Sequence, residues 1–306
     1  MVIMHDGIFL INKPTGKTSN QVIQEIKQKL QINKIGHAGT LDPLATGMLV
    51  VLVNNATKMS EYLLTADKAY DVEMRLFVET DTGDITGNVL NETAPFKIQK
   101  KILKKIFNEF NGFMYEQYPP KYSAIKVNGK KLYEYARQDK EVKIKPRTVT
   151  IKAIKLKKYD AHNHTIKFSV LCTKGTYIRS LVIDIAAKLN TIATVTALCR
   201  TQSGNFMLSK AINPEAVNFN ELISMYDGLF INNQQLLLYH HDEEIRQGKP
   251  IVIINHTDPI IFIINKNKNV LAIYKHIGKH VYACQRGLWG HIEPKNQDYR
   301  EKDDHY

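Results

Sequence analysis

Apolar residues recur along the chain with two periods, one typical of strands and one typical of amphipathic helices. Alternating or continuous apolar runs predict strands at residues 8–11, 48–53, 70–77, 149–157, 166–172 and 192–198. Apolar residues three or four positions apart predict helices after residue 18, at 98–110 and at 177–189. Thr18 and Gln21 have the spacing of a capping box, which favours a helix that begins there. The pattern therefore predicts a mixed α/β body.

The helix predicted at residues 98–110 places apolar and basic residues on opposite sides. Its apolar stripe is predicted to contain Ile98, Ile102, Ile106 and Phe110, with Leu103 and Phe107 beside it. The lysines of the other side are Lys100, Lys101, Lys104 and Lys105. We interpret this side as a solvated face more readily than as an RNA contact.

Near residue 230 the pattern changes to short apolar runs that are separated by Gly, Asn and Lys, which is typical of a small all-β module. The predicted organisation is a mixed body over residues 1–231, a β-rich module over 232–295 and a polar tail over 296–306.

The composition is that of an ordinary globular protein, with 43% hydrophobic and 24% charged residues among 306. No apolar run approaches the roughly 18 residues of a membrane-spanning helix, and the N-terminus does not resemble a signal peptide. The three cysteines, Cys172, Cys199 and Cys284, are far apart and have no C-x-x-C spacing. A reducing, cytoplasmic location is therefore expected, without a disulfide framework or a membrane anchor.

Positive charge is concentrated in one segment. Residues 97–158 hold 18 basic and five acidic residues, a net charge of +13, whereas the whole chain carries +12. This excess favours a region that faces a polyanion, although a lysine-rich surface alone would give the same count. Tyrosines interleave the basic residues between 115 and 145, a mixture that suits unstacked bases and phosphates but also suits packing against a sheet.

Residues 36–47, GHAGTLDPLATG, form the segment best suited to chemistry. Asp42 precedes Pro43, which steers the aspartate away from helical geometry, and the glycines allow a ligand to approach the backbone closely. A carboxylate on such a loop is well placed to act as a nucleophile or a base. From these residues alone, an aspartate that caps a turn has at least equal weight. The histidines lack partners at metal-ligand spacing, so no metal site is expected.

The segment resembles the catalytic motif of the TruB family of tRNA pseudouridine synthases, in which the aspartate is essential. Further segments are similar to the family's motifs in order and spacing: KPTGKTS at 13–19, KAY at 68–70, residues 117–137, and KGTYIR at 174–179. Leu198 and Arg200 match a later substrate-lining leucine and its neighbour. One such motif would be weak, but the ordered set is highly specific and extends from residue 7 to about 210.

The resemblance implies an α+β fold. Its catalytic domain would have the pseudouridine synthase fold, a mixed, largely antiparallel central sheet with flanking helices and loops. A small β-rich, PUA-like RNA-binding domain would follow it. The implied reaction converts uridine 55 in the T loop of tRNA to pseudouridine by base flipping and an aspartate-dependent transfer of the uracil from an N1 to a C5 linkage. No cofactor or metal is implied, and the partner is the tRNA T arm, bound by a monomer without protein partners.

The resemblance also implies roles for individual side chains. Asp42 is implied as the catalytic residue, with support from Tyr70 and Arg179, and either a covalent adduct or an elimination route stays open. The implied substrate-binding residues are His37, Tyr70, Tyr177 and Leu198, and the residue that supports the motif is Lys13.

Other classes of protein remain as alternatives. A non-catalytic tRNA-binding chaperone would share the basic and aromatic features, and a pseudouridine synthase for another RNA would share the core chemistry. A small-molecule lyase fits the basic segment poorly. The presence of Asp42 favours the enzyme over the chaperone.

Overall fold

The structure is a computed structural model that describes residues 5–289 except 124, 128, 137, 139 and 141. The described chain forms two compact units, residues 5–224 and 225–289. The functional domains that we predict at 1–231 and 232–295 stay a prediction, and the predicted tail at 296–306 lies outside the described residues.

The elements of the chain are labelled in order. The helices are α1 Ser19–Lys29, α2 Ser60–Leu64, α3 Lys100–Phe110, α4 Leu132–Ala136, α5 Ile178–Lys188, α6 Met225–Ile231 and α7 Asp242–Arg246. The strands of the first unit are β1 Gly7–Lys13, β2 Ile35–His37, β3 Thr46–Val53, β4 Lys68–Leu76, β5 Val78–Thr80, β6 Val89–Glu92, β7 Phe113–Gln117, β8 Lys126–Val127, β9 Lys130–Lys131, β10 Arg147–Asp160, β11 Thr165–Cys172, β12 Ala193–Ser203 and β13 Phe206–Met207. The strands of the second unit are β14 Leu236–Leu238, β15 Ile251–Val252, β16 Ile260–Ile264, β17 Val270–Gly278 and β18 Val281–Gly287.

A nine-stranded sheet organises the described part of the first unit, in the order β1-β3-β12-β4-β11-β10-β7, with β2 attached to β3 and β13 to β12. The pairs are antiparallel except β3 with β12, which is parallel. Apolar residues of the sheet pack with α1, α3 and α5 into one core. The described part of the second unit contains a five-stranded sheet, β14-β16-β17-β18-β15. The predicted α+β class is confirmed.

Local signals in the sequence place α1 correctly. The Gln21 backbone N–H donates to Thr18 Oγ1 at 3.1 Å, and the Thr18 N–H donates to Gln21 Oε1 at 2.8 Å. This reciprocal capping box satisfies two N–H groups that the first turn of a helix leaves without partners. Val22 and Ile26 are then buried in the core.

Two sequence predictions need correction. The predicted apolar stripe of α3 was wrong at Ile102, which is 45% exposed. The helix turns Leu103, Ile106, Phe107 and Phe110 into the core, a spacing of three and four residues that leaves Ile102 outside. The segment predicted as a loop from residue 36 begins instead in strand β2, because residues 35–37 pair with β3.

The register of five strands places the side chains of the site in one row. Lys13 of β1 pairs with Gly47 of β3, Gly47 with Arg200 of β12, Arg200 with Tyr70 of β4, and Tyr70 with Val170 of β11. Gly47 has φ of 97°, and a Cβ there would lie 2.4 Å from the Arg200 carbonyl oxygen. Glycine is therefore required where β3 and β12 come together.

Candidate active site

The predicted aspartate and arginine form a bidentate ion pair. Arg179 Nε lies 2.9 Å from Asp42 Oδ2, and Arg179 Nη2 donates to Asp42 Oδ1 at 3.2 Å. Arg179 lies in the first turn of α5, where the helix dipole disfavours a cation, and the carboxylate offsets that cost. The planar guanidinium also fixes the orientation of the carboxylate.

Backbone carbonyls complete the surroundings of Arg179, whose side chain is only 5% exposed. Nη1 donates to the Thr82 carbonyl at 2.7 Å, and Nη2 donates to the Tyr122 carbonyl at 2.9 Å. The Thr82 turn is itself held by buried Asp84, whose Oδ1 accepts from the Thr86 N–H at 3.0 Å. The sequence indicated only a turn at these positions, and their contact with Arg179 was missed.

The motif around Gln117 docks against the start of α5. Gln117 Oε1 accepts the Tyr177 backbone N–H at 2.8 Å, and Gln117 Nε2 donates to Tyr115 Oη at 2.8 Å. The Tyr115 hydroxyl donates in turn to Asp184 Oδ2 at 2.8 Å. This chain of hydrogen bonds ties strand β7 to the helix that carries Arg179.

Opposing influences act on the protonation of Asp42. Burial raises the pKa of its carboxyl above the ordinary value of 3.8, and the charge of Asp84 adds to the rise. The guanidinium of Arg179 and the ammonium of Lys13 oppose it. The side chain keeps 36% of its surface exposed, so the carboxylate is both held by Arg179 and open to a ligand.

Two buried lysines flank the site. Lys13 Nζ donates to the carbonyls of Pro14 at 2.7 Å and Lys17 at 2.6 Å, which closes the turn after β1. Lys68 Nζ donates to the Leu64 carbonyl at 2.8 Å. Burial lowers the pKa of each ammonium to about 8, because desolvation disfavours the charged form.

The residues predicted to bind substrate differ in their relation to Asp42. Burial raises the pKa values of the Tyr70 and Tyr177 phenols, and the charge of Asp42 acts on both. Leu198 is buried in the core, and His37 lies on β2 beside the charge of Arg200. Among the described residues, neither Leu198 nor His37 forms a hydrogen bond or an ion pair with Asp42.

A cavity of about 410 Å³ lies beside the Asp42 loop. Leu44 of the loop and Thr46 of β3 line it together with two ion pairs, Lys157 with Asp71 at 2.7 Å and Lys167 with Glu73 at 2.6 Å. Part of the basic segment at 97–158 is therefore neutralised within the fold.

The part of the chain that the structure describes has neither a metal-binding cluster nor a membrane-spanning helix. No cluster of three or more His, Cys, Asp or Glu side chains there has a metal-binding arrangement. No helix there is long and apolar enough to cross a membrane.

The fold matches that of a solved protein described as an H/ACA RNP bound to a substrate RNA containing 2'-deoxyuridine. The TM-score is 0.68 at 20% sequence identity, over 93% of this chain and 85% of that chain. At this identity the match concerns the fold alone. The mixed sheet that carries the aspartate loop therefore has the same fold as that protein.

Sequence comparisons identify the family. The model of the TruB family pseudouridylate synthase N-terminal domain matches residues 27–178. A tRNA pseudouridine synthase B from Mesoplasma florum is 47% identical over 281 residues, which cover 92% of this chain and 97% of that protein. One from Bacillus cereus is 36% identical over 289 residues, which cover 90% and 94%. The chain belongs to the TruB family and is an enzyme of the pseudouridylate synthase class.

Proposed function

We propose that this protein isomerises uridine 55 in the T loop of tRNA to pseudouridine. Both relatives are named tRNA pseudouridine synthase B and align over nearly their whole length. The observation that carries the proposal is the Asp42–Arg179 ion pair, in which the arginine is 5% exposed and the carboxylate 36% exposed. The Asp42 carboxyl group is thereby open to a ligand while its arginine partner is buried.

The chemistry fits a single carboxylate. The bond from ribose C1′ to uracil N1 breaks, and a bond from C1′ to C5 forms. The C5 hydrogen leaves as a proton and N1 gains one, so the atoms of the nucleoside are conserved. A glycosidase needs two carboxyl groups because it must protonate a leaving group and direct a water. Here the uracil is retained, and Asp42 serves either as a nucleophile or as a base toward the ribose.

The surrounding side chains receive roles from the family resemblance. The target uridine must leave its stack, and contacts with the flipped base offset that cost of a few kcal/mol. We assign Tyr70 to stack on the base, and Tyr177 and Leu198 to line its pocket. His37 would fill the space that the base vacates in the T loop, and Lys13 supports the motif through its carbonyl contacts.

We propose that residues 232–295 form a PUA-like RNA-binding domain and that the protein acts as a monomer. The five-stranded sheet of the described residues supports a β-rich module. Its small apolar core contains Ile261, Ile263, Tyr274 and Tyr282.

Position-resolved mapping of pseudouridine in an unmodified tRNA transcript tests the proposed function. We expect conversion at uridine 55 and none in a matched transcript with cytidine at that position. Conversion at another site would mean that the enzyme has a different target. Tight binding without any conversion would favour the non-catalytic tRNA chaperone.

A further inference from the structure

Arg200 is a buried cation to which the proposed reaction gives no role. Its side chain is 1% exposed. Among the described residues, its hydrogen bonds go to backbone carbonyls, and it forms no ion pair with a carboxylate. A buried guanidinium is costly unless its donors are satisfied, so the partners of Arg200 indicate what it holds in place.

The carbonyl partners of Arg200 lie on both sides of Asp42 in the chain. Nη2 donates to the Gly39 carbonyl at 3.0 Å and Nη1 to the Thr40 carbonyl at 3.3 Å, ahead of the aspartate. Nε donates to the Met48 carbonyl at 2.7 Å, after it. One rigid guanidinium thus joins both ends of the loop that carries Asp42, which a flexible ammonium could not do in the same geometry.

Tyr70 meets the same guanidinium from the neighbouring strand. Arg200 and Tyr70 are directly opposite each other in the antiparallel β12–β4 pair, and both side chains are buried. Side chains at such positions are close neighbours. The positive charge of Arg200 opposes the rise of the Tyr70 pKa that burial causes.

We propose that Arg200 is a positioning residue that holds the Asp42 loop and the Tyr70 phenol in a common frame. It acts through these two residues and does not touch the substrate. The inference rests on the proposed function, in which Asp42 and Tyr70 act on the same uridine. It assigns Arg200 a role that differs from that of Arg179, which contacts the Asp42 carboxylate directly.

Arg200→Lys tests this role, because it retains the positive charge and removes the fork geometry. We expect the single-turnover rate of pseudouridine formation to fall by about 10²-fold, since misplacement of reacting groups by about 1 Å can cost that much. The KM for tRNA should change by less than about threefold, because the buried guanidinium does not face phosphate. An unchanged rate in a folded variant would overturn the proposal.

A double-mutant cycle tests the link to Tyr70. In a Tyr70→Phe background the phenol oxygen is already absent, so Arg200→Lys should reduce the single-turnover rate by a clearly smaller factor than in the wild type. If the two substitutions reduce the rate by independent factors that multiply in the double variant, Arg200 does not act through Tyr70. That result would contradict the common frame.

Two further variants separate positioning from stability. Asn55→Ala removes the Asn55 Nδ2 bond to Asp6 Oδ2 at 2.9 Å, away from the site, and should lower the melting temperature while the rate is kept. If Arg200→Lys does not fold, Gly39→Ala perturbs the loop at the carbonyl that Arg200 holds, because Gly39 has φ of 111°, which strains a residue with a side chain. We expect Gly39→Ala to lower the rate with little change in KM, and a folded Gly39→Ala with the wild-type rate would contradict the inference.

The same assay distinguishes the two proposals. A wild-type protein that forms no pseudouridine in tRNA would refute the proposed function. An active wild type with a folded, fully active Arg200→Lys would refute only the role of Arg200.

Discussion

The Asp42 carboxylate is subject to two opposing effects, burial that favours its neutral form and Arg179 that favours its ionised form. The proposed chemistry needs the ionised form, so the guanidinium has an electrostatic role besides an orienting one. Because the paired arginine is almost fully buried, water screens this interaction less than it would screen a surface ion pair.

The pH dependence of activity should report this balance. Burial raises the pKa of Asp42, so wild-type kcat/KM should fall with decreasing pH at values above the ordinary 3.8 of a free carboxyl. Arg179→Gln removes the charge that opposes this rise and should move the acid limb to higher pH, with a rate loss of about 10²-fold. Arg75→Gln, at an exposed position of β4, is the matched control and should leave the limb in place. An acid limb that stays in place or moves to lower pH in Arg179→Gln would contradict the electrostatic role.

The buried Lys68 should make the free energy of unfolding depend on pH in the alkaline range. Its pKa is lowered from 10.5 to about 8, so between these values the unfolded state holds a proton that the folded state has released. The free energy of unfolding therefore gains from this group as pH rises through that window, by up to about 3 kcal/mol. Urea denaturation should show that the free energy of unfolding of the wild type rises relative to that of Lys68→Met between pH 8 and 10. A difference that is constant with pH would count against this account.

The β3–β12 pair depends on the absence of a side chain at Gly47. Gly47 and Gly16 both have positive φ, 97° and 83°, but only Gly47 has backbone close to where a Cβ would lie. Gly47→Ala adds a steric clash to backbone strain and should destabilise the protein by about 1–3 kcal/mol more than Gly16→Ala does. Thermal denaturation of the two variants measures this difference. Equal losses of stability would mean that β3 and β12 can move apart at no cost in free energy.

Sequence patterns predict the local elements well. The start of α1 follows from Thr18 and Gln21, because capping involves residues three positions apart. The candidate loop follows from Asp42 and its glycines, and the family motifs add Arg179. Each of these signals lies within one short segment of the chain, so it can be recognised without knowledge of the fold.

Long-range pairing explains what the sequence did not predict. The row from Lys13 through Arg200 to Tyr70 depends on strand register, which no single segment encodes. The side chain of Ile102 is exposed because the sheet selects the neighbouring stripe of α3. Both outcomes depend on which surfaces meet in the folded chain.

In the folded molecule, lysines of the basic segment at 97–158 pair with acidic residues that are distant in the sequence. Lys152 pairs with Asp67 at 2.5 Å and Lys157 with Asp71 at 2.7 Å, across 85 and 86 residues of chain. A count over residues 97–158 cannot register these distant acids. The positive charge available to RNA is therefore smaller than +13 in this segment, and it lies on residues without such partners.

Salt-dependent tRNA binding should distinguish paired from unpaired lysines. Lys143 and Lys145 are exposed, and no carboxylate of the described residues pairs with them. Lys143→Ala with Lys145→Ala should weaken binding and reduce the slope of log K against log salt by about 1 for each phosphate that is no longer neutralised. Lys152→Ala with Lys157→Ala is the matched control and should keep the slope. The reverse result would place the RNA on the ion-paired face of the sheet.

The role of Asp42 is the central claim, and Asp42→Asn tests it most directly. The two side chains have the same shape, but the amide can neither attack ribose nor accept its proton. We predict that pseudouridine formation in tRNA is abolished while the Kd for tRNA stays within about threefold of wild type, measured on the same preparations. Turnover near the wild-type rate would contradict the account, and so would a loss of binding as large as the loss of turnover.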